Sequence, residues 1–314
     1  MFFVTGANGF LGSALIEELA RRNYLVRASS RVRNEVFHKN IDLVQSPDLH
    51  DKIMWSDLFK GSQYLIHTAA RAHIMNDNSK DALDKFRQVN VEGTLNIARQ
   101  AAQSGVRRFV YISSIKVNGE ETQSGAPFTN GSPPNPQDPY GISKWEAEEG
   151  LRKISRETGL EIIIIRPPLI YGPGVKGNFH QLMKIIQRGL PLPLASIKNS
   201  RSFIGLRNCV DVIIKASTAP KISTNLFLVS DDHNISTPEL IRRLANAMGT
   251  KASLFPLPVY MLTSGAQLLG KAHVIQRLTS SLEIDVNETK DCLDWVPPFD
   301  IDSELMRLTN NMEA

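Results

Sequence analysis

The sequence predicts an α/β fold, a doubly wound parallel sheet with a smaller mixed α/β lobe at its carboxy-terminal end. Short apolar runs alternate with stretches of helical periodicity through the first two thirds of the chain. A glycine-rich turn follows the first run at once. The run Ile162-Ile163-Ile164-Ile165 is apolar at every position, as a parallel strand is when both of its faces are covered.

Taken in order, residues 2–5, 25–29, 64–67, 109–112 and 162–166 read as strands. Between them, residues 11–22, 89–104 and 142–158 carry apolar side chains at helical spacing. Strands joined through helices imply right-handed crossovers and parallel pairing. Residues 127–139, rich in Pro, Asn, Gly and Ser, read as a loop. After Arg166 the pattern changes, because Pro167-Pro168 and Gly172-Pro173-Gly174 break regular structure. A helix is expected near residues 179–188. Another starts at Ser236-Thr237-Pro238-Glu239, with Thr237 as cap and Pro238 as its first residue. A strand at residues 224–229 is expected to return to the sheet.

With 314 residues, 42% of them hydrophobic and 22% charged, the chain can bury a large core without staples. Disorder, collagen and a coiled coil are excluded. Cys209 and Cys292 cannot build a disulfide framework and read as small buried side chains of a reducing compartment. The net charge of +4 is mild and the Lys and Arg are scattered, which disfavours nucleic acid. No leader segment is visible at the start. Residues 252–270 carry no formal charge but hold Pro256, Pro258, Gly265 and Gln267. They read as a loop and a partly buried amphipathic helix rather than a membrane span. A cytoplasmic location is the expectation.

The turn Thr5-Gly6-Ala7-Asn8-Gly9-Phe10-Leu11-Gly12 joins the first strand to the first helix. Gly6 permits the tight turn, Gly9 lets backbone approach a pyrophosphate, and Gly12 lets helix and sheet lie close. The helix start then offers free N–H groups to an anion. The alternative is an ordinary strand-to-helix turn. Its place at the start of a βαβ pattern favours a dinucleotide. Residues 1–166 are therefore expected to form an NAD(P)-binding domain and residues 167–314 a substrate-binding lobe. An acidic residue ending the second strand accepts hydrogen bonds from a free ribose 2′-hydroxyl. This chain has Ser29-Ser30-Arg31-Val32-Arg33 there instead. With no carboxylate available to repel a 2′-phosphate and two guanidiniums to pair with one, the reading favours NADP, with NAD the alternative.

Tyr140 and Lys144 stand four residues apart, on one face of an expected helix. A tyrosine is a poor base at neutral pH, and a nearby ammonium favours its phenolate. The pair can then move a proton to or from a carbinol oxygen. Upstream, Ser113-Ser114 ends an expected parallel strand, where ligands bind in doubly wound sheets. Ser114 is the chosen hydrogen-bond donor to the reacting oxygen, with Ser113 as its neighbour. The bland alternative is an aromatic–cation pair on a helix surface.

Several stretches together resemble the extended short-chain dehydrogenase/reductase family, in its nucleotide-sugar epimerase/dehydratase branch. They are the glycine turn, His67-Thr68-Ala69-Ala70, Asn90-Val91-Glu92-Gly93-Thr94, Ser113-Ser114, Tyr140 with Lys144, Arg166-Pro167-Pro168-Leu169-Ile170-Tyr171-Gly172-Pro173-Gly174 and Arg201-Ser202-Phe203-Ile204. The resemblance implies a Rossmann fold and cofactor contacts from Gly6, Asn8, Gly9, Phe10, Leu11, Gly12, Ser30, Arg31, Asp48, Leu49, Ala69, Ala70, Asn90, Tyr140 and Lys144. Asp48 and Leu49 would touch the adenine, and Lys144 would hold the nicotinamide ribose. Ser114, Tyr140, Asn178 and Arg201 would meet a UDP-sugar, Arg201 through its diphosphate. A homodimer would form by packing helices 89–104 and 142–158 of two subunits into a four-helix bundle. The branch works at carbon 4 of a hexose. Its UDP-N-acetylquinovosamine dehydrogenases are the most similar group suggested. Reduction of a UDP-4-keto-6-deoxy-N-acetylhexosamine is ranked first, because Ser30 and Arg31 point to NADP and a consumed cofactor must exchange with a cellular pool. UDP-hexose 4-epimerisation is the alternative, and a non-catalytic NAD(P) sensor is a third reading. Leu169 and Asn118 depart from the epimerase pattern, which commonly has asparagine and tyrosine there.

The remaining residues have bland readings. His67 packs or bonds backbone. His73, His180, His233 and His273 lack metal spacing. Trp55, Trp145 and Trp295 pack at core or edge. Arg166 satisfies loop carbonyls, and for Arg201 a solvated loop is the alternative to phosphate.

Overall fold

The computed structural model describes residues 1–31, 39–49, 54–72, 81–268, 270 and 272–310. The first half runs β1 (Phe2–Thr5), α1 (Phe10–Arg21), β2 (Val26–Ser30), β3 (Ile41–Gln45), β4 (Tyr64–His67), α2 (Ala82–Phe86), a π-helical segment (Arg87–Gly93), α3 (Thr94–Gln103), β5 (Arg108–Ile112), α4 (Pro139–Thr158) and β6 (Glu161–Arg166). The second half runs β7 (Ile170–Tyr171), α5 (Asn178–Gln187), β8 (Arg201–Ser202), β9 (Ile204–Gly205), α6 (Leu206–Thr218), β10 (Leu226–Leu228), β11 (Asn234–Ile235), α7 (Thr237–Ala247), α8 (Val259–Leu268), α9 (Ala272–Thr279), α10 (Asn287–Leu293) and α11 (Ile301–Asn310).

Seven strands form one sheet in the order β10-β6-β5-β4-β1-β2-β3, and every neighbouring pair is parallel. This is the expected Rossmann-type α/β fold. The strand order reverses around β1, where Thr5 lies opposite Ser29 of β2 and His67 of β4. Ligand crevices open beyond the carboxyl ends of strands at such a point.

The four isoleucines of β6 show how the sheet is covered. Ile163 and Ile165 point into a core with Leu15 and Leu19 of α1 and Val212 and Ile213 of α6. Ile162 and Ile164 point to the opposite face, against Ile97 and Ala101 of α3 and Leu151 and Ile154 of α4. The strand period of two thus buries every residue of the run. Residues beyond 166 supply α6 and β10 to these layers. A third core joins Phe179 and Met183 of α5, Leu240 and Leu244 of α7, Leu262 of α8 and Leu305 of α11.

Several elements differ from expectation. β3 is an edge strand with one neighbour and no fully buried residue; its Ile41, Leu43 and Val44 are half-buried, and it is absent from the expected strands. The helix expected at 89–104 is π-helical over Arg87–Gly93 before α3 begins. α5 begins at Asn178, which is inside the helix rather than before it. Ser236, not Thr237, caps α7: its Oγ accepts from Glu239 N at 3.3 Å, which makes Pro238 the second helical residue. Cys209 is buried, but Cys292 is only half-buried and sits 2.9 Å from Ser223 Oγ. Among the described residues no helix is long and apolar enough to cross a membrane, and no cluster suited to a metal occurs.

Candidate active site

The glycine turn has two kinds of glycine. Gly6 holds a φ of +76°, and a Cβ there would lie 2.8 Å from Thr68 Oγ1. A Cβ on Gly12 would lie 2.1 Å from Gly6 O. Both are required by the protein's own packing. Gly9 differs: a Cβ there meets only Gly6 O, at 3.1 Å, and Asn8 and Gly9 are exposed. No side chain caps the start of α1. Its first N–H groups, from Phe10, Leu11 and Gly12, have no partner within the helix. An open turn, an uncapped helix start and the half-buried Ala69 and Ala70 after β4 fit a dinucleotide pyrophosphate.

On the adenosine side, Ser30 is buried at the end of β2 and Arg31 is exposed. Arg31 NH1 lies 3.5 Å from Asp48 Oδ1. The expectation that no carboxylate is available here is corrected, because the loop after β3 brings Asp48 to the arginine. A Cβ on Gly93 would lie 2.5 Å from Leu49 O, so that glycine lets the helix meet the Asp48–Leu49 loop. Arg33 and His73 lie outside the described residues.

Lys144 is buried at the carboxyl end of β5, where its Nζ donates to Ile112 O at 2.8 Å. The ammonium lies 4.6 Å from the Tyr111 ring centroid and 5.8 Å from that of Tyr140. Two residues beyond Ile112, Ser114 is half-buried and its Oγ accepts from Lys116 N at 3.3 Å. Tyr140 lies in the first turn of α4, packed edge-on against Phe86. Asp138 caps this helix by accepting from Gly141 N at 2.7 Å and also pairs with Lys116. Burial, and next the Asp138 carboxylate, push the Tyr140 phenol above its usual range. Burial brings Lys144 down to about 7, against the opposing pull of Glu148. Desolvation penalises the charged forms of both groups in the protein alone.

His67 bonds two side chains rather than backbone. Its Nδ1 lies 2.8 Å from Thr5 Oγ1 and its Nε2 lies 3.0 Å from Thr94 Oγ1. Burial first, then the Lys144 charge, lowers its pKa to about 3, so the ring is neutral near pH 7. Buried Asn90 sits in the π-helical segment. It accepts from Arg71 N at 2.8 Å and donates to Arg71 O and Ser143 Oγ, fixing the loop after β4 to α4.

Sequence reasoning missed the group beneath this site. Arg166 does not serve loop carbonyls. It forms a buried, two-pronged ion pair with Glu148, and its NH1 donates to Asn118 Oδ1 at 2.9 Å. Ser113 Oγ donates to the same carboxylate at 2.6 Å. Glu148 lies four residues after Lys144 on one helix face, and that spacing was the available signal.

Arg201 is half-buried in β8 rather than in a solvated loop, and its NH1 donates to Ser280 O at 2.9 Å. Burial and then the charge of Arg277 bring it down to about 10, with Glu120 opposing. Glu120 in turn bonds Lys116, the partner of Asp138. Arg201 thus feels the charge of Glu120, whose partner Lys116 also holds Asp138 at the start of α4. Asn178 is exposed at the start of α5.

A sequence profile of the NAD dependent epimerase/dehydratase family matches residues 2–227. The chain belongs to this family. It is an enzyme of the extended short-chain dehydrogenase/reductase type, dependent on NAD(P). It is 41% identical over 297 residues to a UDP-glucose 4-epimerase of Vibrio cholerae, covering 94% of this chain and 90% of that one. The fold is similar to that of a UDP-glucuronic acid 4-epimerase from Bacillus cereus in complex with NAD, with a TM-score of 0.80, 19% identity and coverage of 99% and 98% of the two chains. A UDP-glucose 4-epimerase from Thermotoga maritima with UDP-glucose superposes with a TM-score of 0.79 at 20% identity, covering 99% and 98%.

Proposed function

We propose that this chain interconverts the two C4 epimers of a UDP-hexose, using a retained NAD. The observation that carries this choice over reduction of a 4-keto sugar is the 41% identity to the Vibrio cholerae 4-epimerase across nearly the whole chain. The site supports the chemistry. Lys144 ties the tyrosine helix to the end of β5, next to Ser114.

In this reading Gly6, Asn8, Gly9, Phe10, Leu11, Gly12, Ala69 and Ala70 cradle the pyrophosphate, and Ser30, Arg31, Asp48 and Leu49 line the adenosine. The bound dinucleotide supplies hydride exchange and, when oxidised, a positive charge that favours a phenolate. Tyr140 takes the proton of the sugar's 4-hydroxyl and returns it after the sugar presents its other face. Ser114 donates a hydrogen bond to that oxygen. Lys144 holds the nicotinamide ribose. Arg201, with Arg277 beside it, meets the substrate diphosphate, and Asn178 contributes from α5. Residues 167–314 thus supply the substrate side of the cleft.

NAD is preferred over NADP because Asp48 stands beside Arg31, where it repels a 2′-phosphate. The NAD of the Bacillus cereus relative agrees with this. We also place a homodimer on α3 and α4, which already pack closely: a Cβ on Gly150 would lie 2.6 Å from the Leu95 methyls.

The test is incubation with UDP-glucose, UDP-galactose and their N-acetylhexosamine counterparts, read by proton NMR. Epimers should interconvert without lasting change in nicotinamide absorbance. Stoichiometric consumption of NADPH on a UDP-4-keto sugar, with no epimer formed from any UDP-hexose, would restore the reductase reading.

A further inference from the structure

Acidic residues are distributed far less evenly than basic ones. Residues 162–210 and 240–282 contain twelve Lys and Arg and none of the 32 Asp and Glu. The rest of the chain is therefore net acidic. These stretches build α5, α8, α9 and most of α7, around the third core. Part of their charge is used internally: Arg166 pairs with Glu148, Arg207 with Glu304 and Arg243 with Glu239 and Asp302. Lys176, Lys184, Arg188, Lys198, Arg242 and Lys251 are exposed and form no ion pair among the described residues.

The same stretches expose apolar side chains. Of the eleven large hydrophobic residues exposed among the described residues, seven lie here: Leu169, Leu190, Phe255, Val259, Tyr260, Met261 and Leu268. Tyr260 is 70% exposed and Leu268 89%. The backbone brings two of the segments together. Leu192 N donates to Ser253 O at 2.8 Å and Phe255 N to Leu192 O at 3.1 Å. The Leu190 loop and the Phe255 loop therefore run side by side, with Arg188 and Lys251 at their edges. α8 buries Leu262 and Ala266 and turns Tyr260, Met261 and Leu268 outward.

We propose that this face docks on an anionic lipid bilayer, with the apolar side chains in the headgroup boundary and the basic residues on acidic headgroups. A short uncharged helix with exposed aliphatic and aromatic residues, following loops edged by Arg188 and Lys251, suits a surface-lying contact. A nucleic acid would leave Met261 and Leu268 without partners. The docking stands whichever sugar the enzyme uses.

The experiment is co-sedimentation of the full chain with vesicles of phosphatidylcholine alone and with phosphatidylglycerol added. Binding is expected only with phosphatidylglycerol, and it should weaken as salt is raised. Arg188→Gln with Lys251→Gln should lower vesicle partition by about tenfold or more, since each basic contact is worth about fivefold. Tyr260→Ser with Met261→Ser should lower it similarly. All four sites are exposed, so thermal midpoints and turnover of soluble substrate should match the wild type. Absence of binding to phosphatidylglycerol vesicles, equal binding to both vesicles, or wild-type partition of both double variants would overturn the proposal.

Discussion

Arg166 at the end of β6 holds Glu148 of α4 by two bonds, Nε to Oε1 at 2.9 Å and NH2 to Oε2 at 2.5 Å, with both side chains out of water. The pair fixes the last residue of a central strand to the helix that carries Tyr140 and Lys144. Ser113 and Asn118 complete it, so the segment around Ser114 is held as well. A buried pair of this kind contributes less through net stability than through the geometry it enforces, and breaking one side leaves a charge unpaired.

Arg166→Met should therefore destabilise the protein by about 3–5 kcal/mol, measured by denaturant unfolding. Arg166→Met combined with Glu148→Leu should recover part of the loss, because neither charge is then stranded. Additive losses would mean that the two residues act independently.

Tyr140→Phe should keep the thermal midpoint and NAD affinity, since one hydroxyl is removed from a half-buried ring. Turnover should fall by about two to four orders of magnitude. A wild-type rate would remove Tyr140 from the proton path.

The glycine turn separates folding from binding. Gly12→Ala puts a methyl 2.1 Å from backbone Gly6 O, and should lower the thermal midpoint without any ligand. Gly9→Ala meets one atom at 3.1 Å and should fold nearly as the wild type. It should lose most of the stabilisation that added NAD confers, because its Cβ lies where backbone meets pyrophosphate. Calorimetric melts with and without NAD distinguish the two outcomes.

His67 makes stability depend on acid. Its pKa falls from 6.5 to about 3 on folding, so the unfolded chain binds more protons between those values. Stability from this group is fully present above pH 6.5 and declines as pH falls, by roughly 1.4 kcal/mol per unit at its steepest. Unfolding midpoints at pH 6.5 and pH 5 should therefore drop more in the wild type than in His67→Gln, which does not titrate. Equal drops would show that His67 already takes up a proton in the folded state.

A preference for NADH over NADPH should disappear in Asp48→Asn and reverse in no single variant of Arg31, because Arg31 is paired at the surface. Fluorescence titration of both reduced cofactors measures it. A wild type that prefers NADPH would return the reading to the two-arginine argument.

Local pattern was enough to specify the parallel sheet, the glycine turn and the Tyr140–Lys144 spacing. Each is a matter of periodicity, or of residues within one turn of one another, so it survives without knowledge of the rest of the chain. β3 escaped because its run is short, with Ile41, Leu43 and Val44 interrupted by Asp42, and an edge strand has one partner. The partners of Arg31 and Arg166 escaped for a different reason. Asp48 and Glu148 lie 17 and 18 residues away in sequence and meet those arginines only after folding. The perturbed Tyr140 and Lys144 also belong to the folded state, since burial is the largest cause in each case. Desolvation and charge pairing depend on what surrounds a group in space, and no spacing rule along a single chain reports that.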